Sequence, residues 1–481
     1  MRHAGTTSLL AWTFTLLGVL TPRVATQAQS GAAAVVLQGA RLIDGTGRPP
    51  VTDSVLVIER GMIRAVGEKG SVQYPKSASV VDAHGKTIMP ALINLHGHLG
   101  LTRGIEQDGL NYSEENIRAQ MECYLSYGVG TVLSLGTDQE LIYHLRDAHH
   151  HLAAIAKSSS DDSALTTRLR EAARAENLEG MRVYTAGRGF GAPGGYPLPV
   201  PNAEDRYRPQ TPDEARADVR ELAAHRPDFV KIWVDDDFGR VPKMKPEIYR
   251  AIIDEAHRQH LRVIAHVFYL ADAQDLVDAG IDGLGHSVRD RPVDTRLIAA
   301  MKTRRVFYIP TLVRDESTFI FAKEPQEPKW LDDPFFQRGL QPGVLDTLRS
   351  PGFIGKIRAN QNLAKYEAGF EMAKKNLRTL FDAGIEVALG TDSGPALRFQ
   401  GFFEHRELQL MVESGLAPMQ AIECATRNAA LILGATDEFG ILEAGRGADF
   451  LVLTADPLED IRNTQKLAAV WLAGTQVFGW H

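Results

Sequence analysis

Cysteine is nearly missing from this chain: 481 residues hold two, Cys123 and Cys424. A disulfide framework is excluded by that count. Both lie in stretches that read as helices, so buried free thiols are expected. Excess positive charge is missing too, with 53 Lys and Arg against 60 Asp and Glu and a net charge of −7. A nucleic-acid binder would need a clustered basic face. Long hydrophobic runs are absent. The one candidate, Ser8-Leu-Leu-Ala-Trp-Thr-Phe-Thr-Leu-Leu-Gly-Val-Leu20, is short for a membrane span. Arg2 and His3 precede it and small residues follow, with Thr26 and Ala28 as the small pair before a cleavage point. That three-part pattern is a secretory signal over residues 1–28, and it places the mature protein in the periplasm or outside the cell. An uncleaved anchor is the alternative. No cysteine follows the run, which argues against a lipoprotein.

What is present is a 44% apolar content, enough for a sizeable core. The length suits one large domain plus a smaller one. The most informative segment is Met89-Pro-Ala-Leu-Ile-Asn-Leu-His-Gly-His98. It reads as a buried strand, and side chains two apart on a strand share a side. His96 and His98 leaving one strand end together make half of a metal site. Two separately satisfied histidines are the plainer reading.

More candidate ligands close other short apolar runs. Lys231 lies in Phe229–Val234, His266 ends Arg262–His266, His286 ends Gly280–His286, and Asp392 ends Ile385–Asp392. Helical patterns separate them, as in Pro246–His260 and Leu270–Ala279. Alternating strands and helices over about 350 residues predict an α/β fold, a (β/α)8 TIM barrel with its chemistry at the strand C-termini. Its strands are read as Ile88–Leu95, Thr131–Leu135, Arg182–Ala186, Phe229–Val234, Arg262–Ala265, Gly283–Gly285, Val306–Ile309 and Glu386–Leu389.

Both chain ends have a different texture, short alternating strands divided by turn residues. Residues 29–87 and 441–481 are therefore expected to build one small β-sandwich domain, with the barrel over 88–440. The glycine-rich Gly187–Tyr196 loop lacks the Gly-Lys-Ser/Thr ending and following helix of a phosphate cradle. The stretch from about Arg314 to Gly355, rich in Phe and Pro, is expected as an irregular insertion, a lid or substrate wall. His149-His-His151 reads as a solvated loop. Asp235-Asp-Asp237 reads as a solvated turn near the catalytic face, able to attract a cationic substrate.

The chain resembles the amidohydrolase superfamily. The likeness rests on Val36–Gly47, Pro90–His98, Tyr127–Val132, His286, Pro310-Thr-Leu312, Gly390-Thr-Asp392, Ala425–Gly434 and the tail Gly440–Leu453. It covers roughly residues 35 to 478. The nearest likeness is to the imidazolonepropionase-related and prolidase-like branch, whose members often hydrolyse C–N bonds of dipeptides or other amides.

The resemblance implies two divalent metal ions, with zinc the first choice. His96, His98 and Asp392 would hold one, His266 and His286 the other. Lys231 falls where binuclear members carry a carboxylated lysine bridging both. The physics agrees: an ammonium cannot ligate a cation, whereas a buried neutral amine can add carbon dioxide. A Lys231 paired with one of Asp235 to Asp237 is the alternative. A hydroxide bridging the metals would attack the amide carbonyl, and Asp392 would shuttle the proton to the leaving nitrogen. The chain departs from the family in two places. Asn94 stands where Asp is common, and Tyr196 where many relatives place His. Tyr196 and His405 are the candidate substrate-binding residues, and the expected partner is a small amide or dipeptide. The rival readings are a deaminase or lactonase of the same superfamily, or a noncatalytic exported binding barrel.

Overall fold

The computed structural model describes residues 34–147, 181–204, 206–323 and 328–479. The expected signal segment and the His149–His151 tract lie outside the described residues. Among the described residues, no helix is long and apolar enough to cross a membrane.

Both chain ends meet in one sheet. Its order is Thr475–Gly479, Leu467–Leu472, Phe450–Leu453, Thr87–Pro90, Val35–Leu42, Val51–Glu59, Met62–Glu68, with Ser79–Asp82 also paired to Val35–Leu42. Phe450 and Trp471 stack at 5.4 Å within its apolar face.

Parallel strands fill the middle of the chain. Leu92–Gly97, Val129–Ser134 and Arg182–Thr185 form one ladder. Val230–Trp233, Val263–His266, Gly283–Gly285 and Phe307–Ile309 form the next. Asp228 N donates to Thr185 O, linking the two ladders. The arrangement is α/β and TIM-barrel-like.

Two expected strands differ. Ile88–Leu95 is broken at Ala91, because its backbone changes partner. Pro90, which has no N–H, pairs opposite Phe450. Leu92 N donates to Gly128 O and starts the central ladder. Residues 386–389 form no strand of their own. They still lie between neighbours: Tyr308 N donates to Glu386 O, and Leu95 N donates to Leu389 O.

Helices cover the parallel strands. Pro246–Arg258 opens on proline and buries Ile248, Tyr249, Ile252, Ile253 and Ala256. That i, i+4 spacing is the stripe an amphipathic helix turns inward. Leu270–Ala279 stops at Gly280, whose φ of 95° is the left-handed C-cap glycine favours. Cys123 and Cys424 are free and lie in helices, as expected; Cys424 is buried, whereas Cys123 is half-buried.

The insertion is more ordered than its sequence suggests. It contains the short helices Leu312–Ser317, Pro334–Gln337, Val344–Arg349 and Pro351–Arg358. Aromatic residues hold the insertion down: Trp330 packs on Phe336 at 4.8 Å and Phe402 at 5.3 Å.

Candidate active site

Six side chains expected to act together are brought together, apart from their order in the chain. His96, His98, Lys231, His266, His286 and Asp392 are all buried. Ile93 and Leu95 pack in the inner cluster with Leu133, Ile264 and Ile309. The register of that strand shifts between Asn94 and Gly97, and His96 then faces the same interior. Small neighbours leave it room. A Cβ at Gly390 would sit 2.8 Å from His96 Cβ, and one at Gly136 would sit 2.5 Å from Lys231 Cγ.

Asp392 is the hub. Its Oδ1 lies 2.8 Å from His98 Nε2 and 3.7 Å from His96 Nε2. Its Oδ2 lies 3.9 Å from His286 Nε2, contacts Arg398 and is 3.6 Å from Arg314 Nε. Lys231 Nζ is 3.3 Å from His96 Nε2. The His96 and His286 rings are 4.5 Å apart, and His286 and His266 are 4.3 Å apart. His286, Thr311 and Asp392 all have left-handed backbone, at φ of 93°, 52° and 55°. Such residues cost about 1–3 kcal/mol each and persist where the surroundings over-determine them.

Electrostatics suit cation binding. Burial pushes the His96, His98 and His286 imidazoles below their ordinary range, and His266 down to about 4. Neutral imidazole is the form that ligates. Burial opposes the Asp392 charge, but Arg398 and His98 outweigh it and hold the carboxyl well below the carboxylate range. Burial also brings the Lys231 ammonium down to about 7.

The donor set fits a metal ion. Ligand atoms of His96, His286 and Asp392 lie within 4.8 Å of one another. His96 Nδ1 is buried without a hydrogen-bond partner. Imidazole and carboxylate are the donors that zinc and its neighbours take.

Several contributors were not legible beforehand. Asp235, expected in a solvated turn, is buried and bonds His266 Nε2 at 2.7 Å. It follows Lys231 and Trp233 at two-residue steps, a parity that could have revealed it. Thr137 meets His98 Nδ1 at 2.8 Å, and Thr311 meets His286 Nδ1 at 2.6 Å. Asn94 accepts from His96 N through Oδ1 and donates to Glu404 Oε1 at 2.7 Å. The amide therefore suits a place beside a buried carboxylate, where an Asp would meet a like charge.

The two substrate-binding candidates part company. Tyr196 lines the cavity over the site, 5.0 Å from the His266 ring. Its hydroxyl accepts from Arg314 Nη2 at 3.2 Å. His405 is a correction: it is fully buried away from that cavity. Its Nε2 meets Tyr127 O at 2.8 Å and its Nδ1 meets Thr464 Oγ1 at 2.9 Å, so it ties its helix into the surrounding packing. The glycine-rich loop is braced from within the protein, Arg208 donating to its Ala192 and Gly195 carbonyls and to that of the adjoining Pro197.

The amidohydrolase family model matches residues 87–477. The chain belongs to the amidohydrolase family. Within curated proteins it is similar to the ochratoxinase of Aspergillus niger, 26% identical over 470 residues, covering 92% of this chain and 86% of that one. A shorter match is the imidazolonepropionase of Deinococcus deserti, 40% identical over 104 residues, 21% of this chain and 26% of the relative. The fold of this amidohydrolase is shared by a Xaa-Pro dipeptidase solved with methionine in its active site (TM-score 0.68, 20% identity, 92% and 99% coverage). It is shared too by the crystal structure of A. niger ochratoxinase (TM-score 0.67, 22% identity, 94% and 96% coverage). The protein is a hydrolase, and its His96, His286 and Asp392 cluster is a candidate metal site.

Proposed function

We propose that this protein is an exported, metal-dependent amidohydrolase that cleaves a C–N bond in a small amide or dipeptide. The observation that carries this reading is the group of buried, neutral imidazoles gathered around an ionised Asp392 and a depressed Lys231. The names of its relatives, an ochratoxinase and a Xaa-Pro dipeptidase, agree with amide or peptide substrates. The central strands and their helices are read as a (β/α)8 barrel, and the terminal strands as a β-sandwich. Residues 1–28 are read as the export signal, which places the enzyme in the periplasm or medium.

His96, His98 and Asp392 would hold one divalent ion, and His266 and His286 a second, with zinc favoured by the imidazole-rich set. Bound there, the ions would polarise an amide carbonyl and acidify water. The chain's own residues do the rest. Neutral Lys231 can add carbon dioxide: an N–C bond forms as one C–O π bond opens, a proton leaves, and the amine becomes a carbamate with one negative charge shared by two oxygens. Asp235 fixes the His266 ring through Nε2, leaving Nδ1 as the other ring nitrogen. Thr137 and Thr311 hold the His98 and His286 rings through Nδ1, leaving Nε2 of each as the other ring nitrogen. Asp392, ionised at neutral pH, takes a proton from the attacking water and delivers it to the leaving nitrogen.

The test is a screen of dipeptides, N-acyl amino acids and lactones with zinc- or manganese-loaded protein, alongside metal analysis. Amide hydrolysis with about two metals per chain is expected. Ammonia released from an aminated ring, with one metal per chain, would replace this reading with a deaminase.

A further inference from the structure

We propose that Glu404 is a positioning residue for the metal ligands, and that Asn94 is matched to it in polarity. Its buried carboxyl fixes the two chain segments that carry His96, His98 and Asp392. The inference rests on the metal-dependent reading above.

Connectivity comes first. Glu404 lies on the helix Phe402–Glu413 and is fully buried. Its Oε1 accepts three hydrogen bonds, each at 2.7 Å, from Asn94 Nδ2, Thr391 Oγ1 and Ser393 Oγ. Among the described residues its Oε2 has no hydrogen-bond partner, so one oxygen does the holding. All three partners adjoin a candidate ligand. Asn94 Oδ1 accepts from His96 N at 2.9 Å. Thr391 and Ser393 flank Asp392, and Ser393 O accepts from His98 N at 2.8 Å. Tyr124, on the helix Glu114–Ser126, closes the group with its hydroxyl 2.7 Å from Ser393 Oγ.

The strand makes room for this group. Gly97 stands between the two histidines. A Cβ there would lie 2.8 Å from the Tyr124 hydroxyl, 2.7 Å from Val132 Cγ2 and 3.3 Å from Asn94 Nδ2. The first two distances are well inside van der Waals contact. The middle residue of the His-Gly-His segment therefore has to be small for the network to close against it.

Polarity comes next. Two hydroxyls and an amide all donate to Oε1, so position 404 has to accept and position 94 has to donate. A carboxylate at position 94 would set two acceptors 2.7 Å apart. Exchanging both groups, with the amide at 404 and the carboxylate at 94, runs the same bond in the opposite direction. That carboxylate can also accept from the Thr391 hydroxyl, which lies 2.9 Å from Asn94 Nδ2. The exchange leaves the net charge beside the metal ligands unchanged, so it isolates geometry from charge.

The experiment titrates the zinc-loaded protein with a chromophoric chelator, alongside circular dichroism of each variant. The variants are Asn94→Asp, Glu404→Gln and the two together. Asn94→Asp should weaken zinc binding ~10–100-fold, the range for disturbing a group that orients a ligand, even though it adds negative charge. Glu404→Gln keeps an acceptor oxygen and should lose less. The double variant should recover most of the loss, a non-additivity that coupled neighbours show. A role in folding alone would lower the melting temperature and leave the zinc affinity of the folded protein unchanged, which would overturn the proposal. A charge effect alone would make Asn94→Asp the tightest binder and Glu404→Gln the weakest, and that order would overturn it too. So would a double variant whose loss is the product of the two single losses. If Asn94→Asp does not fold, the double variant decides: a folded protein with zinc affinity close to wild type supports the match, and any other result overturns it. Wild type that takes up no zinc would remove the metal-dependent reading, and this inference with it.

Discussion

At the scale of single residues, Lys231 and Asp235 divide the labour of the site. Lys231 is fully buried, 3.3 Å from His96 Nε2, and among the described residues no carboxylate is bonded to its Nζ. An ammonium there would repel any cation its neighbours hold, so the carboxylated form suits the site. Lys231→Ala should abolish binuclear metal binding and nearly all hydrolysis, with partial rescue by bicarbonate or a short carboxylic acid. Full metal content by elemental analysis in the variant would refute the bridge. Asp235 acts one step further out. Removing the partner that orients a ligand histidine typically weakens metal binding ~10–100-fold. Asp235→Ala should show that loss in a competition titration, with the fold intact by circular dichroism. Unchanged affinity would make the Asp235–His266 bond a packing detail.

At the scale of elements, the helix Leu312–Ser317 carries Arg314 and depends on Glu407. The Glu407 carboxyl accepts from Leu312 N at 2.9 Å and Val313 N at 2.7 Å. Burial raises it from 4.5 to about 8. A raised carboxyl contributes stability that is full below the ordinary value and is lost as pH rises through about 8. Glutamine has one acceptor oxygen for two donors, so Glu407→Gln should cost about 1–3 kcal/mol at low pH. It does not titrate, so its deficit against wild type should shrink between pH 5 and pH 9. Thermal melts at the two ends check this, and a constant deficit would show that Glu407 does not titrate in that window. Elements of this kind explain what the sequence could tell. Lys231, His266 and His286 were legible because each closes or lies in an apolar run with strand character. The break at Ala91 was not, because it arises from a change of partner from the strand Phe450–Leu453 to the strand Val129–Ser134, which lie far apart in the chain. The short helices of the insertion were hidden for a related reason. Helices of this length are marginal alone and exist through aromatic packing. Glu407 carries no local signal at all, since its importance comes from Leu312 and Val313, which meet it across the fold.

At the scale of the whole molecule, the export reading and the terminal sheet can be considered together. The natively produced protein should begin near Gln29 and lie outside the cytoplasm. N-terminal sequencing of fractionated cells checks this, and a chain starting at Met1 in the cytosol would overturn it. Thr87–Pro90 is held between Val35–Leu42 on one side and Phe450–Leu453 on the other. It is followed, after Ala91, by the strand that ends in the His pair. Arg182 and Asp449 add a buried ion pair between a central strand and the approach to a terminal one. The order of synthesis is thereby tied to the order of completion. Ribosomes add about 5–20 residues per second, so the segment leading to His96 and His98 waits roughly 20–70 s for its C-terminal neighbour. During that interval it presents an open strand edge, the kind of surface that nascent chains aggregate through. On the export proposal, staying unfolded until the C-terminal strands emerge also suits passage across a membrane, and this topology imposes that delay. The C-terminal strands thus act as a completeness check, since a prematurely terminated product lacks the edge against which the histidine-bearing segment is set.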